Sequence, residues 1–386
     1  MNSSNPDVTP NTAHSAKVPA LCIVGPLPPP SGGMANQCEQ LVRLLRLEGV
    51  DVELVRNNAP YRPQWVGKVP LLRAGCRLIP YVSRLWRAAG RVEVMHILAN
   101  SGWAWHLFAA PAVWICRIRG TKVIVNYRGG NAAAFFSRAP AFVRGTLRQA
   151  DACVTPSAFL QRVFDKFGIA ARIVPNIVDL SRFRHASSRS FGDAPHLVVT
   201  RNLEPIYDIP TAIKAFSKVR SMFPKARLTV AGSGPELERL KTLTLTLGLD
   251  DSVHFSGRID NADIPDLYAS ADCMLNPSTV DNMPISILES FASGVPVVTT
   301  AAGGIPDMVE DGLSALLVPV GDADAMGEAA VRVLTEPELV GALRENGLRA
   351  SMDYAWPAVR ERWFEVYRSV VANNEDLTIV GKSSNA

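Results

Sequence analysis

The 386-residue chain is poor in several features that would direct its reading. Its six cysteines, Cys22, Cys38, Cys76, Cys116, Cys153 and Cys273, are scattered and include no Cys-x-x-Cys pair. Neither a disulfide framework nor a cysteine-based zinc site is expected. HExxH, P-loop and GxSxG patterns are missing, which argues against zinc hydrolysis, ATP chemistry and serine hydrolysis. Ile97–Cys116 lacks charged residues over about the length that spans a bilayer, yet Asn100, Ser101, His106 and Pro111 interrupt it. It is read as a buried or half-buried helix, and no transmembrane span is expected. Residues 1–17 lack the apolar run of a signal peptide and read as a disordered arm on a cytoplasmic protein. A tail over 373–386 is expected to be flexible. With 47% hydrophobic and 20% charged residues, the composition excludes coiled coils, collagen and wholesale disorder.

Acidic residues are scarce in one region only. Residues 1–186 carry a formal charge of +14 and residues 187–386 one of −10; between Leu54 and Ala150 Glu93 is the sole acid against fifteen Lys/Arg. Such a field attracts polyanions: phosphorylated substrates, nucleic acid or an anionic membrane. Within 71–89 an apolar stripe (Leu71, Leu72, Leu78, Ile79, Val82, Leu85, Trp86) lies beside Arg73, Arg77, Arg84 and Arg87. This predicts an amphipathic helix, kinked at Pro80, that either lies on a bilayer or packs on its own domain with a solvated arginine face. The membrane reading places a peripheral contact within residues 56–91.

Twelve short β-branched runs alternate with helix-length segments, and the series restarts near His196 after a polar stretch, 187–195, that reads as a linker. The pattern predicts an α/β protein of two doubly wound Rossmann-like domains, 18–186 and 196–355, facing across a cleft.

Three loops could carry chemistry. Gly32 and Gly33 follow the first strand and precede a helical pattern from Asn36, a junction that suits close approach to an anion. Gly232 and Gly234 follow another strand but lack the third glycine of a dinucleotide fingerprint, which disfavours a redox site. The run Asn276–Val298 sets Asp281 in a loop, Pro284 at a helix start and Glu289 within that helix. Eight helical positions span about 12 Å, the reach of a nucleotide sugar from hexose to ribose. Between them the N–H groups of Ile285 and Ser286 would face a diphosphate. Taken alone, Asp281 is equally an N-cap and Glu289 a structural ion-pair partner. Asp322 and Asp324 have metal-binding Asp-x-Asp spacing, but their setting reads as a helix N-cap.

The Asp281–Glu289 run, continued by Gly294-Val-Pro296, resembles the signature of the family 4 glycosyltransferases. Ala150–Ser157, Val174–Asp179, Ala231–Pro235, Phe255–Ile259, Leu267–Asp272 and Gly303–Asp307 resemble further stretches of that family in the same order. The resemblance covers about residues 18–372. It implies a GT-B fold, retaining hexosyl transfer without a metal or cofactor, and a nucleotide-sugar donor with UDP favoured over GDP. The acceptor would be a saccharide or a lipid-linked molecule, in surface polysaccharide or glycolipid assembly at the inner face of a membrane. Carried over by position, Glu289 would hold the ribose, Asp281 the hexose, Arg258 and Ile259 the base, and Gly33 and Arg201 the diphosphate. A helix over 356–372 would return to the first domain.

The chain departs from the family where Tyr207 replaces a lysine, Asp208 a glycine and Pro284 another glycine, and where Asn126-Tyr-Arg128 replaces a histidine. Asn126 or Arg128 is expected to stand in for that histidine, and Arg128 or another basic residue for the lysine. His96 and His106 are read as structural. The departures leave open a catalytically impaired nucleotide-sugar-binding or scaffold protein; a GT-B sugar-nucleotide epimerase fits less well. No nucleic-acid partner is expected, because aromatic residues do not interleave with the basic ones.

Overall fold

A computed structural model of the protein describes residues 18–29, 32–60, 70–139, 141–183 and 192–372. The expected arm over 1–17, the tail over 373–386 and positions 187–191 of the expected linker lie outside the described residues.

Six strands form the first sheet: β1 (Leu21–Gly25), β2 (Val52–Arg56), β3 (Val94–Ala99), β4 (Lys122–Tyr127), β5 (Ala152–Thr155) and β6 (Arg172–Ile173). Six more form the second: β7 (His196–Thr200), β8 (Arg227–Ala231), β9 (Val253–Gly257), β10 (Cys273–Asn276), β11 (Val297–Thr300) and β12 (Leu316–Val318). All pairings are parallel. Parallel strands must bury both faces under crossover helices, and every residue of β1, β3, β10 and β11 is buried. Each sheet separates two apolar clusters, one per face. The fold class expected from the strand spacing is the one observed.

The orders are β2-β1-β3-β4-β5-β6 and β12-β11-β10-β7-β8-β9. Winding reverses between β1 and β3 in one sheet and between β7 and β10 in the other. Helices leaving neighbouring strands toward opposite faces open a crevice at the strand carboxyl ends there. The chain leaves the first sheet through residues 174–183 and comes back in the helix Trp356–Ala372, which packs against β3 and β4. The two crossings touch where the Val178 amide donates to the Tyr354 carbonyl at 2.9 Å.

The helix Pro70–Ala89 continues through Pro80. Its apolar residues do not share one face: Tyr81, Leu85, Ala88 and Ala89 are buried, while Ile79, Val82 and Trp86 are exposed. Of the segment expected to be a buried or half-buried helix, Ile97–Ala99 is the end of β3; after a turn the chain forms a π-turn at Trp105–Ala109 and an α-helix at Ala110–Arg119. Among the described residues no helix is long and apolar enough to cross a membrane. Asp322 caps the helix Ala323–Thr335 through the Ala325 amide, as its setting suggested.

Candidate active site

The two reversal points face each other across a cleft of about 650 Å³. The loop after β7 carries Arg201 and the loop after β10 carries Asp281, so residues eighty positions apart meet because β7 and β10 are hydrogen-bonded neighbours. Arg201 Nη2 donates to Asp281 Oδ2, and Nη1 lies 3.4 Å from Ser286 Oγ. Both ends of this ion pair are nearly buried, at 11% and 14% side-chain exposure. Burial holds the guanidinium pKa below its ordinary value. Tyr207 lays its ring 4.1 Å from the guanidinium carbon, a cation–π contact. The position expected of a second cation therefore holds a platform for the first.

Ser286 stands in the first turn of the helix Ile285–Ala292, where N–H groups have no intrahelical acceptor. The Tyr268 hydroxyl donates to the Ser286 carbonyl at 3.0 Å and lies 2.7 Å from Thr200 Oγ1, tying that turn to the end of β7. One turn on, Glu289 is half-buried with its carboxyl facing the cleft. Desolvation pushes its pKa up to about 7, against the pull of Arg182 and Arg201. Arg182 donates to the Asn261 backbone carbonyl and approaches its Oδ1 at 3.4 Å, which fixes the strand-end loop that continues from Arg258 and Ile259. That loop turns at Gly257, where φ is +69°, just after the β8–β9 register slips at Val230/Ala231. Glycine is required at this left-handed position, and the slip re-aims Arg258 and Ile259 into the cleft.

The opposite wall comes from the first domain. The helix Gly33–Leu47 begins at Gly33, three residues earlier than the pattern from Asn36 indicated, so the glycines themselves supply its open N–H groups. A Cβ on Gly33 would meet Ile285 Cδ1 at 3.7 Å, so the two helix starts lie across from each other, and a Cβ on Gly32 would meet nothing within 4 Å. Arg128 is half-buried at the cleft floor and donates to Asn176 Oδ1; desolvation lowers its pKa to about 10. Asn176 Nδ2 donates to the Met283 carbonyl at 2.8 Å, and Asn282 Nδ2 to the Arg128 carbonyl at 3.3 Å. These bonds close the floor between the domains.

Two family models match consecutive parts of the chain: Glycosyltransferase Family 4 over residues 31–182 and Glycosyl transferases group 1 over residues 181–350. The chain is a family 4 glycosyltransferase. It is 27% identical over 375 residues to a GDP-mannose-dependent alpha-(1-6)-phosphatidylinositol monomannoside mannosyltransferase of Mycolicibacterium smegmatis, with 86% of this chain and 94% of that protein covered. Against an exopolysaccharide phosphotransferase of Streptomyces coelicolor it is 29% identical over 64% of its own length, but spans only 26% of that protein. Its fold matches HepE of Anabaena, solved in complex with UDP-glucose, at a TM-score of 0.70 with 18% identity, covering 90% of this chain and 99% of that one. These matches establish the glycosyltransferase family and the GT-B fold.

The cleft brings together Gly32, Gly33, Arg128, Arg201, Tyr207, Gly232, Arg258, Ile259, Asp281, Ile285, Ser286 and Glu289. Five expectations need correction. Asn126 does not reach the cleft: it is buried in the sheet, its Nδ2 donating to His96 Nε2 at 3.0 Å, so it cannot stand in for a histidine beside the sugar. Gly234 is not a lining residue; it abuts the Leu203 carbonyl, which leaves no space for a Cβ. Pro284 is the N-cap rather than the first helical residue, and Asp281 lies outside the helix, so the helical rise of about 12 Å does not describe the Asp281–Glu289 separation. Asp281 caps no helix. Sequence reasoning missed Arg182, Asn176 and Asn282. Asn176 lay within the quoted Val174–Asp179 stretch, but its partner, a carbonyl more than a hundred positions away, has no local signal.

Proposed function

We propose that this glycosyltransferase moves a hexosyl unit from a nucleoside-diphosphate sugar, UDP ahead of GDP, to a saccharide or lipid-linked acceptor, retaining the anomeric configuration. The observation that carries the reading is the convergence of Arg201, Asp281, Ser286 and Glu289 from two loops and one helix at a single reversal point. Breaking the glycosyl–phosphate bond puts negative charge on the leaving diphosphate. Arg201, held against Tyr207, and the first-turn amides of Ile285–Ala292 and Gly33–Leu47 are fixed positive groups placed to stabilise it. We assign that charge to them and propose no metal or cofactor. Glu289 accepts the ribose hydroxyls, Asp281 the hexose hydroxyls, and Arg258 and Ile259 flank the base.

Retention is supported by the acceptor wall. Among the described residues, the first-domain lining holds no histidine and a single carboxylate, Asp179, which accepts from Arg43 Nη2 at 2.7 Å and from Ser181 Oγ at 2.6 Å. A displacement from the far face of the sugar needs a protein base there. With that carboxylate paired to Arg43 and no other on this wall, the departing diphosphate oxygen takes the acceptor proton on the face from which it leaves, and the new bond forms on that face. The relatives support the acceptor class: the mycobacterial protein's name specifies a phosphatidylinositol mannoside. Assembly of surface polysaccharide or glycolipid at the inner face of a membrane is the setting we propose.

Turnover of UDP-, GDP- and ADP-sugars with and without EDTA, in the presence of cell lipids, tests the whole reading. Donor-dependent product of unchanged anomeric configuration is expected, undiminished by EDTA. Glu289→Ala should lose donor affinity, and unchanged affinity would remove Glu289 from the site. The impaired-binder alternative is favoured by one observation, Tyr207 in place of a cation, and requires calorimetric donor binding with no turnover.

A further inference from the structure

Among the described residues, the aromatic side chains most open to solvent are Trp86, Trp103, Trp114 and Phe142, all in the first domain. With 78% of Trp103, 73% of Ile79 and 71% of Ile118 exposed, they are not ordinary scattered surface apolar residues. They are joined. Arg119 lies over Trp86 at 5.0 Å, linking the helix Pro70–Ala89 to the helix Ala110–Arg119. Trp114 and Ile118 lie one turn apart on the latter, and Trp114 Nε1 donates to Thr146 Oγ1 at 3.2 Å. Thr146 belongs to the helix Ala141–Leu147, whose Phe142 ring is 5.6 Å from His106, and His106 is 6.2 Å from Trp103. The belt thus runs over three helices and ends two residues from Ser101, which lines the acceptor wall of the cleft.

Its charge is of one sign. Arg84, Arg87, Arg117 and Arg119 are exposed along it, and the nearby acid, Asp151, is engaged by Lys122 at 3.3 Å and Arg117 at 3.9 Å. Tryptophans beside arginines match the headgroup layer of a bilayer, which accepts an amphipathic ring and attracts cations when its lipids are anionic. A soluble acidic protein would satisfy the arginines but give Trp103, Ile79 and Ile118 nothing to enter.

We propose that this belt seats the enzyme on an anionic lipid surface, with the acceptor mouth of the cleft at the membrane edge. The contact expected at residues 56–91, of which 61–69 lie outside the described residues, is thereby extended to residues 103–142, and Leu85 of the 71–89 stripe is withdrawn from it because it packs inward. The seating stands on its own; only the position of the acceptor rests on the transferase reading.

Co-sedimentation of the full chain with phosphatidylcholine–phosphatidylglycerol vesicles, and with pure phosphatidylcholine vesicles, separates the two without any donor present. Binding to the mixed vesicles, weakened by salt, is expected. Trp103→Ser/Ile118→Ser should reduce it about tenfold or more, and Arg84→Glu/Arg119→Glu should remove the preference for phosphatidylglycerol. Melting temperature and donor affinity should not change in either variant, since none of these side chains lines the cleft. No binding by the wild-type chain, or equal binding by the Trp103/Ile118 variant, overturns the proposal. So does a wild-type dimer that the same variant dissociates, which would make the belt a contact between copies.

Discussion

The fold favours the protonated form of Glu289, whereas the ligand proposed for it favours the charged one. Desolvation raises its pKa to about 7, so the folded protein binds this proton more tightly than the unfolded chain does. Stability contributed by the protonated form is full below the unfolded pKa and declines as pH rises through the folded one. Glu289→Gln removes that decline, and the variant should melt higher than the wild type above pH 7. It should also bind donor roughly ten- to a hundredfold more weakly, since hydrogen bonds to a carboxylate are worth about 1.5–3 kcal/mol each. Ribose hydroxyls stabilise the charged form, so donor binding near pH 7 should release a proton. Calorimetry in two buffers of different ionisation enthalpy would detect it, and the release should be absent in Glu289→Gln. At Arg201 the expectation differs. Arg201→Lys keeps a charge but loses the planar contact with Tyr207 and the fork that reaches both Asp281 and Ser286. Turnover should fall by about 10²–10³ with a smaller change in donor affinity. Tyr207→Phe keeps the ring and should keep most of the rate, whereas Tyr207→Lys, despite restoring the usual family residue, sets a second cation against a buried guanidinium and should lose it.

Two glycine turns show how element geometry separates scaffold from site. A Cβ on Gly234 would collide with the Leu203 carbonyl, while one on Gly33 meets only the end of Ile285 across the cleft. Gly234→Ala should therefore lower the melting temperature and leave donor affinity of the folded protein near the wild-type value. Gly33→Val should do the reverse, filling the gap between two helix starts. Thermal melts paired with donor titrations check both. Sequence pattern does not tell these glycines apart, because each simply follows a strand. What pattern does carry is whatever one element encodes by itself: the strand runs, the helix opening at Pro284, the Asp322 cap. Family resemblance adds Asp281, Arg201 and Glu289. Neither reveals that Arg201 and Asp281 pair directly, since that depends on β7 lying beside β10. Nor does either place Asn126 on the face of its strand that the last helix covers, beside His96, or divide the apolar residues of 71–89 between core and solvent. Each of these is a contact between elements distant in sequence.

At the scale of the whole molecule, the first domain depends on residues that follow the second. Val359, Trp363, Val366, Tyr367 and Val370 of the last helix are buried in the same cluster as Leu21, Ile23 and Ile124. His96 is at the centre of that junction. Asn126 donates to its Nε2, so Nδ1 carries the proton and donates to the Tyr367 hydroxyl at 2.9 Å, with the Trp363 ring 4.5 Å away. Burial lowers its pKa to about 3, aided by Arg128. For a base with a depressed pKa the unfolded chain binds the proton more readily, so the stabilisation is complete above about 6.5 and is lost as pH falls toward 3. Acid should accordingly loosen the last helix from the first sheet before the second domain melts. His96→Gln, which retains polar partners for Tyr367 and Asn126 but does not titrate in this range, should be less stable than the wild type at pH 7 and lose less stability between pH 6.5 and 4. Truncation after Ala355 should expose the face of β1, β3 and β4 at any pH and leave the first domain unable to fold. Hydrogen exchange along β3 and β4 reads both effects: protection that persists at pH 4 in the wild type, or survives the truncation, would show that the first domain holds together without its returning helix.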